Sequence, residues 1–201
     1  MITKWSELPM GKFEEIQKID DADELQAALK VNAILNDMTV EELLESPLAD
    51  VSKMSKAREF LGKMPIKRIT KKKYVLGGNP YIFNGDIYAI TTAQFIDLQN
   101  TEKEDIVSAL AIFLVPEGKS YNKGYDIDDV KADIRKFLSA EEGLSIASFF
   151  TIALDLLYRR ALRRAKRMLK KAKRQGVQTE QAEQLLKEAP KTLQPENYTF
   201  G

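Results

Sequence analysis

The sequence predicts an α+β fold: a mostly helical single domain with a small antiparallel β-hairpin or sheet insertion and a long basic C-terminal helix. Three observations carry this. Apolar residues recur every three to four positions along most of the 201-residue chain. Residues 66–90 change to β-branched and aromatic residues punctuated by glycines. Residues 159–174 hold ten Lys or Arg and no acid, in a chain whose net charge is only +1. The expected organisation is a core with its sheet over residues 1–150, the basic helix over 144–175, and a short helix with a flexible tail over 176–201.

The first 65 residues read as short helices. Trp5, Leu8, Phe13, Ile16 and Ile19 are spaced as one apolar face. Leu25, Ala28, Leu29, Asn32 and Leu35 form a second, with acids at its start where they favour the helix dipole. "TVEE" at 39–42 is a capping box, in which Thr39 accepts from the third backbone N–H and Glu42 reaches back to the cap. The helix it opens should end before Pro47. Val51, Met54, Ala57, Arg58 and Leu61 then mark a helix that Gly62 and Pro65 stop.

In the β-rich stretch, Asn84-Gly85 lies between two apolar runs and supplies the positive φ angles of a type I′ turn, so "YIFNGDIY" reads as a hairpin. Gly77-Gly78 reads as another turn, giving a sheet of three strands. Helices return at Thr91. "TTAQFIDLQN" begins with two hydroxyl caps, and "EKEDIVSALAIFLVP" is apolar almost all round, as a central buried helix is. "EGKSYNKGYD" is a turn-rich loop and "IDDVKADIRKFLS" a short amphipathic helix. "EGLSIASFFTIALDLLYRRALRRAKRMLKKAKRQ" extends unbroken to Gly176, before a final short helix at "EQAEQLLKEA" and the tail "PKTLQPENYTFG".

Composition removes function classes. With 44% hydrophobic residues the chain can bury a sizeable core. Cys and His are both zero, which excludes zinc clusters, a Cys nucleophile, a Ser-His-Asp triad and a His proton shuttle. No enzyme activity, cofactor or metal is expected. No apolar run approaches the ~20 residues of a membrane span, and the N-terminus lacks a signal-peptide pattern. A soluble intracellular chain, or part of a particle assembled inside a cell, is the expectation. Residues 1–154 carry 19 basic and 25 acidic residues, so the near-neutral total hides a dipolar molecule.

The basic helix carries the candidate site. Leu154, Leu157, Tyr158, Ala161, Leu162, Ala165, Met168, Leu169 and Ala172 fall at steps of three and four and form an apolar stripe. Arg159, Arg160, Arg163, Arg164, Lys166, Arg167, Lys170, Lys171, Lys173 and Arg174 cover the rest. Partner binding is assigned to Leu157, Tyr158, Ala161, Leu162, Ala165, Met168 and Leu169. The plainest reading has the stripe packed on its own domain or on another copy, with the charges solvated or paired. The alternative assigns Arg159, Arg160, Arg163, Arg164, Arg167, Lys170, Lys171 and Arg174 to DNA phosphates or an acidic partner. Tyr158 is the one interleaved aromatic, which disfavours stacking on single strands, and the C-terminal half of the apolar face lacks Trp and Phe, which disfavours a membrane surface.

Other candidates have simpler explanations. The acids Asp126, Asp128, Asp129 and Asp133 lack the EF-hand spacing and fit a cap followed by an acidic first turn. Gly77-Gly78 beside Lys71, Lys72 and Lys73 lacks the Gly-Lys-Ser/Thr ending of a phosphate loop, and the lysines fit a charged strand that resists aggregation. Trp5, Phe149 and Phe150 sit where core packing would place them.

The central blocks resemble a group of small bacteriophage proteins from virion-morphogenesis gene clusters, described as tail assembly chaperone-like. The likeness rests on Thr92–Asp97 (Thr-Ala-x-Phe-Ile-Asp), Val115-Pro116-Glu117-Gly118-Lys119, Tyr121, Gly124-Tyr125-Asp126 and the Leu-Ser-x-x-x-Phe-Phe segment at Leu144–Phe150. The opening "KWSELPMGKFEEI" is similar too, so the resemblance covers residues 1–150. It implies a non-enzymatic role in building a phage particle in the host cytoplasm, with no catalytic residues to carry over. The implied partners are other phage structural proteins, in particular an elongated helical tail protein, with a homo-oligomer as a further option. The basic extension equally suits a protein retained in the virion, with DNA contact through residues 159–174.

Overall fold

The computed structural model describes residues 1–20, 23–69, 71–86, 89–102 and 105–174, with the backbone alone at 153–158, 161 and 173. It is a mostly helical α+β chain with one three-stranded antiparallel sheet. Two compact units are present, Met1–Ala147 and Ser148–Gly201. The short helix and tail expected after Gly176 lie outside the described residues.

The helices begin where local cap chemistry places them. α1 (Met10–Gln17) follows Pro9, and α2 (Glu24–Asn36) is opened by Asp23, whose carboxylate accepts from the Leu25 N–H at 2.8 Å. α3 (Val40–Leu44) has the expected capping box: Thr39 Oγ1 accepts from the Glu42 N–H at 3.1 Å, and the Glu42 carboxylate accepts from the Thr39 N–H at 2.7 Å. α4 (Leu48–Ala57) runs into a 3-10 turn at Arg58–Gly62. α5 (Thr92–Asn100) opens with a second box, Thr91 with Gln94. α6 spans Ile106–Phe113, and α7 (Ile127–Phe137) is capped by Asp126, which accepts from the Asp128 N–H at 2.9 Å. α8 spans Ala140–Arg174.

The sheet corrects two expectations. β1 (Lys73–Leu76) pairs with β2 (Asn79–Phe83) around Gly77 and Gly78, whose φ angles of 58° and 90° lie in the region only glycine enters freely. The hairpin turn is therefore Gly77-Gly78, as one of its two readings had it, and not Asn84-Gly85. Neither Asn84 nor Gly85 takes a positive φ; instead the Asn84 side chain accepts from the Asp86 N–H just past the end of β2. The third strand comes from the segment expected to be all helix. β3 (Leu114–Pro116) follows α6 directly and pairs antiparallel with β2, Phe83 opposite Leu114 and Tyr81 opposite Pro116. Helix gives way to strand because β2 offers Leu114 and Val115 a ladder, while Pro116 could not continue the helix.

α6 is the centre of the first unit: Ile106, Val107, Leu110, Ala111, Ile112 and Phe113 are all buried. Around it lie Val130 and Ile134 of α7, Met10 and Phe13 of α1, the first turns of α8 through Leu144 and Ile146, and the inner sheet face of Tyr74, Leu76, Tyr81 and Phe83. Gln94, itself buried, donates to the Ile112 carbonyl at 2.8 Å, satisfying an acceptor that the end of α6 leaves open. The N-terminal turn laces the α7–α8 corner, with the Met10 N–H donating to Leu138 O at 2.9 Å and the Ala140 N–H to Leu8 O at 2.6 Å. Trp5 is buried and donates from Nε1 to the carbonyls of Phe60 and Lys63, both at 2.8 Å. Phe150 is buried as well, whereas Phe149 is half-buried and meets the Phe150 ring edge-on.

Candidate protein-binding helix

The second unit is described through α8, and its sequence explains why it is helical. From Leu144 to Arg174 there is neither Gly nor Pro, and Ala, Leu, Arg, Lys and Met, all strong helix formers, fill the last turns. Glu141 and Glu142 stand in the first turn, and the cations stand toward the C-terminus, both as the macrodipole favours. Repulsion opposes this. Like charges recur four apart, as at Arg159–Arg163, Arg163–Arg167 and Arg167–Lys171, each pair costing about 0.2–0.5 kcal/mol in an exposed helix. An anionic partner would relieve that cost.

The structure sorts the predicted site residues by exposure. Leu162, Ala165, Leu169 and Ala172 are half-buried, and every other described side chain from Arg159 to Arg174 is exposed. Their spacing of three, four and three is the a/d pattern of a coiled-coil seam, narrower than the stripe read from sequence. Met168, assigned to that stripe, flanks the seam and is 71% exposed. Leu157, Tyr158 and Ala161 lie on helical backbone, but their side chains are outside the description. Arg159, Arg160, Arg163, Arg164, Arg167, Lys170, Lys171 and Arg174 are all exposed, and among the described residues Arg163, Arg164, Arg167, Lys170, Lys171 and Arg174 make no ion pair.

The first unit's polar clusters hold its pieces together. Tyr81 Oη donates to Asp133 at 2.6 Å and Asn79 Nδ2 to the same oxygen at 3.0 Å, joining β2 to α7. Tyr121 Oη donates to Asp97 at 2.7 Å, joining the loop after β3 to α5. Burial first, and then the accepting carboxylate, pushes both phenols well above their ordinary pKa, so each stays protonated and neither is available as a base. Lys71 and Lys73, read as protective charges, pair with Glu142 and Glu117. Among the described residues no cluster of three or more acidic side chains is placed to hold a metal ion, and no helix is long and apolar enough to cross a membrane.

One surface escaped the sequence reading. Leu44 and Leu48 are 65% and 84% exposed, beside Glu41 and Glu45, which are also exposed. The signal was the Leu43-Leu44 pair, because a five-residue helix turns its single buried residue, Leu43, inward and its neighbour out. Leu25, placed on the apolar face of α2, is likewise 65% exposed, at that helix's first turn.

Comparison of the chain with protein-family models, with curated proteins and with solved structures gave no match.

Proposed function

We propose that this chain is a non-enzymatic bacteriophage assembly or structural protein, tail assembly chaperone-like, that acts through protein contacts made by α8. The observation that carries the reading is the half-buried Leu162, Ala165, Leu169 and Ala172 seam bordered by exposed cations, a surface suited to pairing with another helix. Small Ala165 and Ala172 let a partner backbone approach closely, and the cations select an acidic partner by electrostatic complementarity. The resemblance at Thr92–Asp97, Val115–Lys119 and Leu144–Phe150 supports the phage setting and the host cytoplasm as its place of action. The partners are other phage structural proteins, an elongated helical tail protein foremost. In infected cells the protein should co-sediment with tail or virion intermediates, and a protein that remains free of every intermediate contradicts the reading. Presence in mature particles marks a virion component, and presence in intermediates alone marks a chaperone.

The exposed guanidinium and ammonium groups of residues 159–174 favour a second reading, in which α8 tracks DNA phosphates. That reading expects gel retardation of duplex DNA at low salt that collapses steeply as salt rises, with little dependence on sequence. Absence of retardation at low ionic strength removes it.

A further inference from the structure

We propose that the surface covering the α8 seam is the acidic, leucine-bearing turn between α3 and α4 of a second copy of this chain, so that copies join head to tail. The proposal rests on the reading of α8 as a protein-binding helix and names its occupant. Charge supplies the argument. Pairing α8 with α8 would set ten cations against ten, and in an antiparallel pair Lys166 and its counterpart, which border the seam, would face each other. A like-with-like contact is therefore disfavoured, and the seam needs an anionic cover.

The chain carries one. Its excess of acid lies in residues 1–154, 25 acidic against 19 basic, opposite in sign to the ten cations of α8. Within that excess, α3 and the turn after it combine acids with exposed apolar side chains. Leu48 is the most exposed large hydrophobic residue among those described, at 84%, and Leu44 stands at 65%. Glu41 and Glu45, four residues apart, border Leu44 and make no ion pair among the described residues, whereas Glu42 is held in its capping box and Asp50 pairs with Lys53. Lys166 and Lys170, also four apart, border Leu169 on one flank of α8. Leucines can enter the gaps over Ala165 and Ala172 while the glutamates meet the lysines. Because donor and acceptor surfaces differ, the contact is heterologous, giving a ring where its rotation closes and a filament where it does not.

The test uses the full chain. The mass of the wild type by sedimentation equilibrium should rise with concentration at about 0.1 M salt, and association should weaken at least tenfold at about 1 M, where charges are screened beyond roughly 3 Å. Glu41→Lys with Glu45→Lys, and separately Lys166→Glu with Lys170→Glu, should each give a monomer at the lower salt with unchanged circular dichroism. Mixed in equal amounts, the two variants should associate again by alternating, since the acidic turn of one meets the basic helix of the other and the reversed turn meets the reversed helix. The chain carrying all four reversals should associate again. Mixing without rescue overturns the head-to-tail contact. A wild type that is monomeric at every concentration and salt also overturns it; if that monomer still joins phage intermediates, the proposed function survives and only its occupant is wrong.

Discussion

Leu162→Asp combined with Leu169→Asp abolishes association through α8 and leaves the first unit folded. Each substitution withdraws a leucine worth about 1.5–3 kcal/mol of burial and sets a carboxylate where the partner's apolar atoms must come. The two together should weaken binding by more than about a thousandfold. Loss of the helix itself is not the cause to expect. The carboxylate introduced in place of Leu162 would stand four residues before Lys166, and the one in place of Leu169 four before Lys173. That is the favourable order for an acid–base pair, so α8 gains local support as it loses its seam. Both positions lie beyond Ala147, so the unfolding midpoint of the first unit should not move. Light scattering reads the association and circular dichroism the helix. Leu162→Met with Leu169→Met, close to volume-conserving, should keep most of the affinity. Unchanged association in the doubly acidic variant would place the contact elsewhere on the molecule.

Gly143→Val should cause the largest loss of stability in the first unit. A Cβ at Gly143 would collide with the Met10 sulfur and lie 3.0 Å from Met10 Cγ and 3.3 Å from Leu110 Cδ1. Met10 is fully buried and Leu110 nearly so, leaving neither side chain a free direction to yield. Two effects compete. Replacing a glycine in the first turn of α8 relieves at most about 1 kcal/mol of propensity cost, and valine recovers only part of that, whereas overpacking a dense core costs about 1–3 kcal/mol. Packing wins, and the thermal midpoint should fall by several degrees. Gly143→Ala should fall less, and Met10→Ala should cost less in the valine variant than in the wild type because the two sites share the same space. A higher midpoint for Gly143→Val would show that propensity outweighs packing at this corner.

What the sequence made legible is what local chemistry decides. The Thr39–Glu42 box, the Thr91 hydroxyl cap and the Asp126 cap each join residues three or fewer apart and appear as read, and the structure adds Gln94 as the partner that makes Thr91 a second box. Asn32, counted on the apolar face of α2, is buried there and donates to Ser55 Oγ at 3.2 Å. The sheet was legible as a composition but not as a pairing. Asn84-Gly85 has the better hairpin chemistry, yet the strand partner that matters, Leu114–Pro116, lies some thirty residues away and is chosen by tertiary packing. The candidate site divides the same way. Its spacing exposed the α8 stripe, but the exposure of Met168, Leu44 and Leu48 is set by the folded chain and not by periodicity.

Hydrogen exchange at the backbone amides of residues 160–174, measured free and in the assembled state, tests most directly whether α8 works as an adhesive helix. Ordering of the seam against its cover should slow exchange there at least about a hundredfold on assembly, as local opening becomes costlier. Exchange at random-coil rates in both states would contradict it.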